Sequence, residues 1–325
     1  MGHPSVLVTS RAPDPVIRAL EEYAHVILGD DPARGMPRDE VLSRVGDAHA
    51  IINQNELRID EELLLLAPGL KIVANTAAGF DNMDIEAMRR RRIWGTNCPL
   101  SYAADTATHT IALLLALAKR LLEADAYVRS GRWKNEGWMP GGRWDGMSLS
   151  GKSMGLIGYG HIGREVARRA EAFGMSVHYF TRSGAGAPQW RPFDEIIRTS
   201  DVISLHCPLT PQTRHLIDAE AFSAMKPSAI LLNVSRGPVV KTDDLLAALQ
   251  DGKLAGAGLD VFEFEPEVPV ELASMQNVVL SPHMGGCTVE ARNDAWEVCV
   301  GNVLSVLQGG VPRTPAFPLD LRSTA

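Results

Sequence analysis

Cysteine is scarce in this chain, with four in 325 residues: Cys98, Cys207, Cys287 and Cys299. So few thiols exclude a disulfide-stapled scaffold, and their separations lack the paired spacing of a zinc site, so no metal is expected. Long apolar runs are missing too. The most apolar stretch, Ile111 to Ala118, has eight residues between His109 and Lys119. A bilayer-spanning helix needs about 20, so this is a buried helix and no membrane partner is expected. Basic excess is also absent, because 32 Lys and Arg face 39 Asp and Glu for a net charge of -7. That balance leaves no electrostatic footprint for nucleic acid, and the run Arg89 to Arg92 reads as a solvated helix end favoured by the helix dipole. No basic and apolar leader stands before the first apolar strand, Ser5-Val6-Leu7-Val8-Thr9, which gives the expectation of a cytoplasmic protein with reduced thiols.

What is present is apolar alternation over a length that exceeds one comfortable core, with 45% hydrophobic residues. Strands are predicted near 5–9, 25–28, 48–53, 71–75 and 93–97, alternating with helices near 14–23, 38–45, 60–66 and 84–91. A second series of strands follows near 153–157, 176–181, 201–206, 229–234, 256–261 and 277–280. Such alternation specifies an α/β fold with two doubly wound parallel sheets. Two further helices, 103–128 and 289–307, bridge or flank these series. The last should return to the first domain, giving a discontinuous domain of 1–99 plus 287–325 and a second domain of 100–286. Chain crossings near Pro99 and near Pro282 to Gly286, beside a cleft between the domains, would suit hinge closure that shuts out water.

The segment Gly155-Leu156-Ile157-Gly158-Tyr159-Gly160-His161-Ile162-Gly163 ends an apolar strand, supplies G-x-G-x-x-G and opens a helix. Gly158 and Gly160 allow a tight turn and close approach to a pyrophosphate, while Gly163 lets the helix pack on the sheet. The second strand, Ser176 to Thr181, then ends where an NAD site would place an acidic residue on the ribose hydroxyls. Thr181, Arg182 and Ser183 stand there instead. A guanidinium beside two hydroxyls suits the 2'-phosphate of NADP(H), with NAD(H) still possible.

Three charged residues sit where later strands run out, the usual place for ligands in open α/β sheets. Arg236 follows Ile230 to Ser235 and could clamp a carboxylate or carbonyl through paired donors. Glu265 closes Asp260-Val261-Phe262-Glu263-Phe264-Glu265, and taken alone it would be a solvated acid. His283 stands in the rigid turn Ser281-Pro282-His283-Met284-Gly285. A carboxylate partner such as Glu265 would stabilise its imidazolium and keep a proton ready for a carbonyl oxygen.

These segments carry a resemblance. Asn233-Val234-Ser235-Arg236-Gly237, Asp260-Val261-Phe262 with Glu265-Pro266, and Ser281-Pro282-His283 together resemble the D-isomer-specific 2-hydroxyacid dehydrogenase family. The likeness extends to His206-Cys207-Pro208-Leu209-Thr210 with Thr213, to Gly131-Arg132-Trp133, and to Gly79-Phe80-Asp81-Asn82 with Asp84. It implies a Rossmann-type nucleotide domain, a flavodoxin-like substrate domain, and Arg236, Glu265 and His283 as the catalytic set. It places Asp260 near the nicotinamide carboxamide, and adds Thr106, Cys207, Pro208, Thr213, Val234, Ser235 and Gly285, beside His161 and Ile162 of the turn, to the cofactor contacts. It assigns the substrate carboxylate to the amides of Ala78 and Gly79, with Asn53 facing the substrate. Asp105 stands where a glutamate is common.

Among the family's branches, the Thr181-Arg182-Ser183 end looks most like the NADP-dependent glyoxylate and hydroxypyruvate reductases. The resemblance therefore implies reduction of a small 2-oxo acid to the D-2-hydroxy acid, with His283 as proton donor, by a homodimer. Larger acids with NAD remain open, since Trp133, Trp138, Met139 and Trp144 could shape a pocket or simply pack. A nucleotide-sensing corepressor is the alternative of a different class, and oxidation of phosphite or formate is a third.

Overall fold

The computed structural model describes residues 3–31, 34–138, 141–184 and 187–319; Met139 lies outside them. The chain divides into two compact units, Met1–Tyr102 with Thr288–Ala325, and Ala103–Cys287.

In the first unit, strands β1 (Ser5–Val8), β2 (His25–Ile27), β3 (Ala50–Asn53), β4 (Ile72–Asn75) and β5 (Trp94–Thr96) alternate with helices α1 (Asp14–Glu21), α2 (Arg38–Arg44), α3 (Glu61–Leu66) and α4 (Ile85–Arg90). All pair in parallel in the order β2-β1-β3-β4-β5. Strands β3 and β4 are buried along their whole length, as strands covered by helices on both faces must be. Helix starts follow local chemistry: the carboxylates of Asp60 and Asp84 accept the backbone N–H of Leu63 and Ala87, satisfying groups that the first turn leaves unpaired. Arg90 and Arg91, at the end of α4, pair with Glu61.

The second unit carries β6 (Ser153–Ile157), β7 (Ser176–Phe180), β8 (Val202–Leu205), β9 (Ile230–Asn233), β10 (Gly256–Leu259) and β11 (Val278–Leu280). Its helices are α5 (Ala103–Ala118), α6 (Leu121–Arg129), α7 (Arg132–Glu136), α8 (His161–Ala172), α9 (Phe193–Thr199), α10 (Ala219–Ala224), α11 (Thr242–Gln250) and α12 (Val270–Ser274). The sheet is again parallel, in the order β11-β10-β9-β8-β6-β7. Both sheets therefore wind the same way from their first strand: second, first, third, fourth, fifth. In such a sheet the order reverses between the first and third strands, which here are β6 and β8, and ligands bind outside the carboxyl ends there. A last helix, α13 (Val289–Leu307), belongs to the first unit, where Ala295, Trp296, Cys299 and Val303 pack with Val6, Ile52, Ile72 and Ala74.

One helix differs from its sequence-based prediction. The expected single helix 103–128 is two, because Arg120 takes a left-handed conformation with φ 50° between α5 and α6. Its guanidinium bonds Glu123 and the carbonyl of Arg143. Tertiary contacts thus fix a break that neither Gly nor Pro announces.

Candidate active site

The glycine turn starts from β6. Gly158 has φ 101°, and a Cβ there would lie 2.6 Å from the backbone of His206, so only glycine lets the turn press against the strand end of β8. Gly160, by contrast, opens onto free space: a Cβ built there meets nothing within 4 Å. It is also the N-cap of α8, and no side chain caps that helix. Unclaimed amides, a positive helix end and a backbone without side chain in front of them fit a pyrophosphate. The backbone of His206 stands against the turn. Part of the residue reaches solvent, but its Nδ1 is sealed without a partner, and desolvation lowers the pKa to about 3. The imidazole is therefore neutral, with Nε2 2.8 Å from Ser204 Oγ.

Thr213 shapes the neighbouring loop: its hydroxyl donates to the Pro208 carbonyl at 2.7 Å and accepts from the Thr210 amide at 2.8 Å. Arg182 and Ser183 are exposed just past β7. Arg182 reaches Gln212 Oε1 at 3.4 Å. Burial pushes the Cys207 thiol up to about 11, against smaller opposing effects of a backbone hydrogen bond and the Arg182 charge. Gln212 was not expected from the sequence, because a lone glutamine in a loop gives no periodic or motif signal.

The second cluster forms past β9, β10 and β11. Gly237 makes it possible: a Cβ there would fall 1.8 Å from the Phe262 carbonyl oxygen, so the loops bearing Arg236 and Glu265 touch backbone to backbone. Asn233 shapes the turn before Arg236, donating to the Arg236 carbonyl at 3.0 Å and accepting from the Ser235 amide and hydroxyl. Glu265 accepts the Phe262 amide through Oε1 at 2.9 Å and faces His283 Nδ1 through Oε2 at 2.9 Å. Burial alone would raise the Glu265 carboxyl; the hydrogen bonds from His283 and Phe262, with the charges of His283 and Arg236, hold it below the usual carboxylate range. Glu265 is thus ionised, and Nδ1 of His283 carries the hydrogen they share. The other nitrogen, Nε2, belongs to a side chain 48% exposed, available to a bound molecule. Asp260, 2% exposed, accepts the amides of Met284 and Gly285 at 2.9 and 2.8 Å. Thr106 lies within reach of the same turn, since a Cβ on Gly285 would stand 3.4 Å from its methyl group.

The first unit holds the expected substrate contacts within an asparagine network that sequence reading missed. Asn53 and Asn75 are cross-strand partners joined by an amide hydrogen bond of 2.9 Å. Asn75 also donates to the Gly79 carbonyl at 3.0 Å and to Asn82 Oδ1 at 2.8 Å. Asn97 holds the Ala78 carbonyl at 2.6 Å. With both carbonyls tied back, the N–H groups of Ala78 and Gly79 have no acceptor among the described residues. Two such amides in succession suit a carboxylate.

Trp133, Trp138 and Trp144 gather with Tyr127 and Val128 around an apolar pocket of about 240 Å³ within the second unit, which Arg236, Glu265 and His283 do not line. Among the described residues no group of three or more His, Cys, Asp or Glu is placed to hold a metal ion, and no helix is long and apolar enough to cross a membrane.

Comparison with known proteins gives the family. Residues 111–285 match the family model described as D-isomer specific 2-hydroxyacid dehydrogenase, NAD binding domain. The glyoxylate reductase of Pyrococcus furiosus is 42% identical over 320 residues, covering 96% of this chain and 94% of that protein. A crystal structure of a Thermus thermophilus protein superposes with a TM-score of 0.88 at 42% identity, covering 96% of this chain and all 100% of that one. The NADPH-dependent glyoxylate/hydroxypyruvate reductase of Sinorhizobium meliloti, solved with NADP and malonate, gives 0.89 at 33% identity over 99% of this chain and 100% of its own. The chain belongs to the D-isomer-specific 2-hydroxyacid dehydrogenase family and is an oxidoreductase that uses a nicotinamide cofactor.

Proposed function

We propose that this enzyme reduces a small 2-oxo acid, glyoxylate or hydroxypyruvate, to the corresponding 2-hydroxy acid with NADPH. The single observation that carries the reading is the 2.9 Å contact between His283 Nδ1 and an ionised Glu265. NADPH, when bound, supplies the hydride. Everything else falls to the chain. His283, carrying a hydrogen on each ring nitrogen, delivers the one on Nε2 to the carbonyl oxygen and is left neutral, with its Nδ1 hydrogen still on Glu265. Arg236 offsets the charge that develops on that oxygen and orients the acid. In the first unit, the Ala78 and Gly79 amides receive the carboxylate.

Preference for NADPH rests on Arg182, with Thr181 and Ser183 beside it and Gln212 steadying its guanidinium. No acidic side chain stands at the end of β7 to compete for a ribose or repel a phosphate. A homodimer accompanies this reading, supported by the exposed faces of Trp133 and Trp138; sedimentation of the purified protein tests it.

The deciding experiment offers NADPH and NADH separately with glyoxylate, hydroxypyruvate, pyruvate and phenylpyruvate, and compares kcat/KM. The expected result is NADPH preference with glyoxylate and hydroxypyruvate as the best substrates, and loss of that preference in Arg182→Ala. NADH preference would overturn the cofactor assignment. Faster turnover of phenylpyruvate would overturn the substrate assignment, and no turnover with any of them would count against reductase activity.

A further inference from the structure

His109, on α5, faces the Asp260 and Ser281 side chains. Its Nε2 lies 2.8 Å from Ser281 Oγ and 3.3 Å from Asp260 Oδ1. Ser281 has a single hydroxyl hydrogen, and its 2.6 Å contact with Asp260 Oδ1 directs that hydrogen to the carboxylate. Burial would raise the Asp260 carboxyl, but hydrogen bonds from His109, Ser281 and the Met284 and Gly285 amides hold it below the usual range, so it is an anion. What faces His109 Nε2 is therefore a hydroxyl lone pair and a carboxylate oxygen, both acceptors. Nε2 must carry a hydrogen.

That hydrogen completes a frame around the turn that bears His283. The Asp260 backbone carbonyl accepts the His283 amide at 2.7 Å, and its carboxylate takes the next two amides. His283 itself sits in the left-handed region, φ 52°, which a non-glycine residue keeps only where its surroundings enforce it. Asp260 enforces it from main chain and side chain together, and His109 with Ser281 fixes the rotamer of that side chain.

We propose that His109 is a positioning residue for the reaction: its Nε2–H locks the Ser281–Asp260 pair and thereby holds His283 at its angle to Glu265. The inference rests on the reading of His283 as proton donor. It predicts a defect in kcat and not in capture of the acid, because neither His109 nor its partners are assigned to the substrate carboxylate.

Two measurements test it. Long-range ¹H–¹⁵N spectra of the resting full-length enzyme should show His109 with a protonated Nε2, and an unprotonated Nε2 would overturn the proposal without touching the reductase reading. Kinetics with glyoxylate and NADPH should show kcat lowered about tenfold in His109→Leu, with KM for glyoxylate changed less than about twofold. His109→Gln, whose amide nitrogen reaches the same position, should recover most of the rate. A rate in His109→Leu equal to the parent's, or no recovery by Gln in a folded protein, would overturn it. Should the Leu variant fail to fold, Gln is compared with the shorter Asn: faster turnover with Gln supports the lock, and equal rates overturn it. Retained turnover in His283→Ala would overturn the proton-donor reading and this proposal with it.

Discussion

His283 and Glu265 come from the ends of different strands, yet Nδ1 and Oε2 meet at 2.9 Å, with the acid ionised. The contact occupies Nδ1 with Glu265 and leaves Nε2 as the nitrogen that the proposed proton transfer would use. Replacement of His283 by Ala should therefore lower kcat by roughly 10²–10⁴, the usual worth of a positioned acid, while NADPH still binds at the glycine turn. Stopped-flow turnover and cofactor fluorescence titration together check this; a loss of binding equal to the loss of rate would point to a collapsed site and not to a missing acid.

Glu265→Gln is expected to change the pH profile. The carboxyl is depressed, so its charge is present above its ordinary range and is lost only as pH falls through a lower value. Across neutral pH the anion is thus constantly present 2.9 Å from His283 Nδ1. Glutamine removes that charge. The alkaline limb of reduction should shift to lower pH, and kcat at pH 8 should fall more than kcat at pH 6. A profile that keeps its alkaline limb in place would remove Glu265 from this role.

Much of this was legible because backbone geometry dictates residue type. Gly158 must be glycine to press on His206 with a positive φ, and that requirement is visible in the motif Gly158-Tyr159-Gly160-His161-Ile162-Gly163. Arg236, Glu265 and His283 were legible as charges at three successive strand ends. The asparagine network was not, since the pairing of Asn53 with Asn75 exists only once β3 and β4 take their register, and asparagine carries no periodicity. His109 was hidden likewise: on a helix face it reads as packing until β10 and β11 bring Asp260 and Ser281 to it. The break at Arg120 escaped because helix propensity continues through it.

Asn75 gives the sharpest test of the first unit. It is fully buried and its amide donates to Gly79, Asn82 and Asn55. Aspartate keeps the shape but turns a donor into a charged acceptor facing three oxygens. Asn75→Asp should destabilise the protein by about 2–4 kcal/mol, the range for buried polar groups left mismatched, and the folded fraction should show a raised KM for glyoxylate as the Ala78–Gly79 loop loses its tie. Thermal melting and initial-rate kinetics read the two effects separately, and unchanged values of both would deny the network its role.

Gly158 and Gly160, one residue apart in the same turn, differ in purpose and can be separated by the same substitution. Gly158→Ala forces a side chain into a positive φ and within 2.6 Å of the His206 backbone, so the turn itself must move. The expected result is a lower Tm, by the equivalent of about 1–3 kcal/mol, with weakened cofactor binding as a consequence. Gly160→Ala meets nothing within 4 Å, so Tm should stay at the parent value. Its methyl group nevertheless enters the space in front of the α8 amides, where a pyrophosphate would approach the backbone, and NADPH affinity should drop by about tenfold. Differential scanning fluorimetry with and without NADPH measures both quantities in one titration. If Gly160→Ala bound NADPH as tightly as the parent, the cofactor's phosphates would not lie against that helix end, and the assignment of the glycine turn would have to be abandoned.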